Sequence, residues 1–112
     1  MLLRRKRFEM SETARKAALL ETMIRDFNNM ALDLAQQIAA EEKRTKIRDT
    51  GHFAYSTFAK AAALRRSNLL TSVADLKTKL VAAKRELDEV TKQLRDLELA
   101  HSDTPSSIDV AA

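Results

Sequence analysis

Apolar or small residues recur along the first half of the chain at alternating steps of three and four: Met10, Thr13, Ala17, Leu20, Ile24, Phe27, Ala31, Leu34 and Ile38. The second half repeats the pattern in Leu69, Val73, Leu76, Leu80, Ala83, Leu87, Val90, Leu94 and Leu97. A mean step of about 3.5 residues keeps one stripe turned toward a neighbouring helix, so both stripes predict coiled-coil seams. The single glycine, Gly51, and the single proline, Pro105, punctuate this pattern. The spacing predicts a helix over about 4–48, a turn over about 49–55, a second helix over about 56–101 and a tail over 102–112.

A helix of about 45 residues, rising ~1.5 Å per residue, runs roughly 65 Å. Nothing else in so short a chain can cover a stripe of that length, so the two stripes must cover each other. The expected fold is all-α: a long two-helix antiparallel coiled-coil hairpin over residues 1–101. Asp49, Thr50 and Gly51 supply the bend, with Gly51 expected in the left-handed conformation that ends a helix. Even filling of the seam favours a register that sets Ala31 against Leu76, Ala17 against Val90 and Met10 against Leu97. That register puts Arg66 opposite Glu41 instead of on Leu34, and brings Glu21 near Lys84 and Lys16 near Glu86, though it also sets Arg44 unfavourably beside Arg65. Exposed ion pairs of that kind contribute only about 0.2–1 kcal/mol each, so they tune a register without deciding it. Glu41 and Glu42, about 100° apart around a helix, read as ordinary surface acids. The tail, opening with Ser102, Asp103, Thr104 and Pro105, has turn and linker chemistry and is expected to be disordered.

Composition strengthens the helical reading, because Ala, Leu, Lys, Arg, Glu and Gln dominate, while only 4% of residues are aromatic and Trp is absent. Without cysteine there is no disulfide, thiolate nucleophile or Cys-based metal site, and the lone His52 and His101 have no partner at ligand spacing. No cofactor, metal or catalytic residue is expected, since no Gly-rich phosphate loop and no nucleophile beside a base appears. The chain reads as a protein without enzymatic activity. No apolar run approaches the 18 or so residues of a membrane span, and no secretory leader pattern opens the sequence, so a cytoplasmic protein is expected.

Basic residues gather at Arg4, Arg5, Lys6 and Arg7, and again around the turn in Lys43, Arg44, Lys46, Arg48, Lys60, Arg65 and Arg66. Phosphate binding is one use of such groups. Yet the formal net charge is only +4, acids are interleaved, and no aromatic platform alternates with the cations, so nucleic acid is not the expected partner. Off the stripes lie Leu19, Met23, Met30, Leu64, Leu70 and Val81, either scattered surface residues or a docking surface that would allow self-association. Phe53, Tyr55 and Phe58 crowd the turn. Tyr55 and Phe58 could cap the seam, or the cluster could anchor a partner.

The run from His52 through Phe53, Tyr55 and Phe58 to Lys60, followed by Leu64, Arg65, Arg66, Ser67, Asn68 and Leu69, resembles the FliJ family of flagellar export proteins. So does the opening Leu3, Arg4, Arg5, Lys6, Arg7, Phe8, Glu9, particularly beside the short alphaproteobacterial members. The similarity covers roughly residues 3–100. Where the family is expected to open its second helix with proline, this chain has Ser56. The resemblance implies a cytoplasmic component of the flagellar type III export apparatus, peripherally associated with the inner membrane and similar in shape to a rotary ATPase stalk. Its implied partners are the hexameric export ATPase, the membrane export gate and export chaperones, without direct membrane insertion. Arg4, Arg5 and Arg7 at the open end would then enter the ATPase ring, while exposed residues near the turn would meet the gate; Phe53, Tyr55, Phe58 and Arg65 are the further candidate protein-interaction residues.

Overall fold

The computed structural model describes residues 1–103, with Asp103 described in its backbone alone. Two helices carry the fold: α1, Leu2–Thr45, and α2, Thr57–Asp103. No strand occurs among the described residues. The fold is the expected all-α two-helix hairpin. Every stripe residue from Met10 to Ile38 and from Leu69 to Leu97 is buried or half-buried, so the three-and-four spacing reports the seam directly. The α2 stripe also extends back through Ala62 and Ala59 to Tyr55, all buried.

The chain falls into two compact units. One comprises Met1–Leu19 with the chain from Leu80 onward; the other is Leu20–Lys79, which contains the turn. Within the first, Lys6 Nζ donates to Gln93 Oε1 at 2.8 Å, Arg7 Nη2 lies 3.3 Å from Glu98 Oε2, and Lys16 Nζ lies 3.7 Å from Glu86 Oε2. Partners move back along α2 as α1 advances, which is antiparallel pairing. The anticipated Lys16–Glu86 pair is present. Within the second unit, Tyr55 Oη donates to Glu42 Oε2 at 2.9 Å and Ser56 Oγ to Glu41 Oε1 at 3.2 Å.

These pairs correct the register by about one heptad. Glu41 meets Ser56 where Arg66 was expected, and Lys6 reaches Gln93 where even filling would put it near His101. Arg66 is exposed. An arginine can cover apolar surface with its methylenes and keep its guanidinium in water, so a charge inside the stripe does not forbid the shifted register.

The turn also differs from expectation. Helix α1 ends at Thr45, before the anticipated residue 48, because Lys46 takes the left-handed conformation with φ 62°. The Lys46 N–H donates back to the Glu42 carbonyl at 2.8 Å, the single bond of a left-handed helix cap. Gly51 is not left-handed. Its N–H is instead received at 2.9 Å by Asp49 Oδ1, while the His52 N–H reaches the Asp49 carbonyl at 3.0 Å, a tight turn built on an aspartate. Helix α2 opens on Ser56, whose Oγ accepts the Ala59 N–H at 3.2 Å as an N-cap. It runs on through His101 and Ser102 to Asp103; the rest of the anticipated disordered tail, 104–112, lies outside the described residues.

Candidate functional site

The candidate residues fall into separate units and are described unit by unit. In the first, Arg4 and Arg7 line a groove at the start of α1, shared with Leu97, Ala100 and His101 of α2. Arg7 also pairs with Glu98 in an exposed position, a contact screened by water. Arg5 is exposed and does not line that groove. Lys6, read in sequence as one more member of the basic run, belongs to the seam: its side chain is 23% exposed and its ammonium is held by Gln93 and, at 2.9 Å, by Glu9. Counting back from Met10 by four and then three gives Lys6 and Leu3, which was the available signal.

In the second unit the aromatic cluster divides. Tyr55 turns inward and is 6% exposed, closing the seam with its hydroxyl on Glu42. Burial pushes the phenol's pKa above its ordinary value, and the Glu42 carboxylate accepting its proton pushes the same way. Phe53 turns outward, 96% exposed, with its ring stacked on His52 at 4.7 Å between centroids. Phe58 is 55% exposed, halfway between those two.

Glu41 and Glu42 are corrected from surface acids to half-buried anchors of the turn. The Arg44 guanidinium hydrogen-bonded to Glu41 holds that carboxyl below the usual range; desolvation opposes this, and the Ser56 hydroxyl supports it. Their adjacency in sequence concealed the role, because each finds its own partner: Tyr55 for Glu42, Ser56 for Glu41.

One side of this unit carries two adjoining grooves that share Leu34, Gln37 and Arg65. Met30 and Asp33 of α1 complete one, and Phe58, Ala61 and Ala62 of α2 complete the other. Phe58 and Arg65 are thus brought together, while Tyr55 is withdrawn from the surface. Asp33 and Gln37, unremarkable in sequence, join them. Among the described residues no group of three or more His, Asp or Glu could hold a metal ion, and no helix is long and apolar enough to cross a membrane.

The chain matches no family model, no curated protein and no solved structure.

Proposed function

We propose that this chain is a non-enzymatic, protein-binding hairpin of the flagellar type III export apparatus, a FliJ-like stalk that binds the export ATPase hexamer and links it to the export gate and its chaperones. The observation that carries the reading is the turn run from His52 to Leu69. The buried Tyr55 fixes the turn while Phe53 and Phe58 stay exposed, an arrangement suited to a partner pocket. In this reading the protein works in the cytoplasm, held at the inner membrane through the apparatus, and Arg4, Arg5 and Arg7 make the ATPase contact.

Deleting the gene tests the proposal. Loss of swimming and of flagellar filaments is expected, restored by the wild-type chain and not by a chain carrying Arg4→Glu, Arg5→Glu and Arg7→Glu. A deletion strain that swims normally and builds filaments rejects it.

A further inference from the structure

Three properties of the grooved side of the turn-bearing unit bear on what kind of partner it fits. The first is an apolar face wider than a two-helix seam requires. Met23 and Met30 sit seven residues apart beside the α1 stripe; Met23 is half-buried and Met30 39% exposed. Phe58, 55% exposed, and Arg65 sit seven apart beside the α2 stripe and line the groove. In a simple pair of helices these flanking positions are normally charged; apolar residues there widen the face to about three positions per heptad, the pattern of helices packed into a larger bundle.

The second property is an unmatched charge on each helix. Asp33 of α1 and Arg65 of α2 line the same groove, yet neither side chain has a hydrogen bond or ion pair among the described residues. The third is symmetry. A twofold axis along the helix pair lays α1 of one copy on α2 of the other at the same level, so Asp33 faces the partner's Arg65 and Arg65 faces the partner's Asp33. The perpendicular twofold would oppose Asp33 to Asp33. A surface with one acid and one base at one level on two antiparallel helices is complementary to itself, which is the requirement of an isologous interface.

We propose that this groove is a homodimer interface in which two copies pack in parallel, Met30 and Phe58 filling the apolar centre and two Asp33–Arg65 pairs crossing it. The assignment does not depend on the export reading, since it concerns the purified chain and not motility.

Sedimentation equilibrium of the full chain from micromolar concentrations to about 1 mM tests it. Dimers are expected. Asp33→Arg and Arg65→Asp should each weaken dimerisation at least about tenfold, because each replaces two attractions with two repulsions, and the double variant D33R/R65D should recover it to within about threefold. Circular dichroism of every variant checks that the helices persist. Because the chain lacks cysteine, mixing Gln37→Cys and Ala61→Cys chains under oxidation should give the mixed disulfide. A wild-type chain that stays monomeric throughout overturns the proposal and leaves the groove to a helix of another protein. Dimers indifferent to both charge reversals, or Gln37→Cys chains linking mainly to each other, overturn it as well.

Discussion

Lys46 holds a backbone conformation that an L-residue with a side chain adopts at a cost, while Gly51, the residue chemically suited to it, does not use it. Turn chemistry in the sequence pointed to Gly51 because glycine is the usual left-handed terminator; a lysine in that role carries no compositional signal. The assignment makes opposite predictions for the two sites. Relief of a left-handed strain of roughly 1–2 kcal/mol, offset by roughly 0.5–1 kcal/mol of added chain entropy, should leave Lys46→Gly more stable by up to about 1.5 kcal/mol. A Cβ at position 51 would meet Asp49 Oδ1 at 3.4 Å, an ordinary contact with a side chain. Gly51→Ala is therefore expected to be neutral or to stabilise by up to about 0.5 kcal/mol. Urea midpoints measure both, and a Gly51→Ala loss above about 1 kcal/mol would contradict the turn as described. Tyr55 gives a second prediction at this scale. Its folded pKa is raised, so the protonated phenol contributes stability in full below the ordinary tyrosine pKa of about 10, and that contribution is lost as pH climbs through the higher folded value. Ultraviolet titration of this single tyrosine should show a midpoint above that of the unfolded chain, and coincident midpoints would refute the buried hydroxyl.

At the level of the helices, periodicity was the legible part. Each stripe residue named from the sequence lies in the seam, because a repeat of three and four over so many turns admits one face only. The register was not legible, because side-chain volumes fill a seam of alanines and leucines acceptably one heptad either way, while the deciding contacts involve polar ends: Glu41 on Ser56 and Lys6 on Gln93. Ala59 shows what the corrected register demands. It is 0% exposed, one turn after the Tyr55 closure, where the helices have no spare volume. Ala59→Leu, which adds apolar surface to a seam position, is expected to cost about 1–3 kcal/mol through overpacking. Stabilisation of that variant in thermal melts would mean that the helices are not held this closely at the turn.

For the molecule as a whole, composition indicated two long helices and left their surfaces open to several uses. Off-stripe residues could be scattered or functional: periodicity puts Met30 beside the stripe and Leu64 on the far face, both exposed, without saying which neighbours either one meets. Only the fold shows that Met30 lies beside Asp33 and Arg65 in one groove. If two copies share that groove, unfolding is coupled to dissociation, so the thermal midpoint should rise with chain concentration and lose that dependence in Asp33→Arg. A midpoint independent of concentration in the wild-type chain would contradict the coupling. The tie between Tyr55 and Glu42 also has an optical consequence. With tryptophan absent and one tyrosine in the chain, emission excited in the tyrosine absorption band comes from a phenol bonded to a carboxylate, an arrangement that quenches its excited state. The folded protein should glow faintly, and whatever pries the bend open, whether solvent, heat or a docking partner, should brighten it, so that the hairpin carries a lamp at its own hinge.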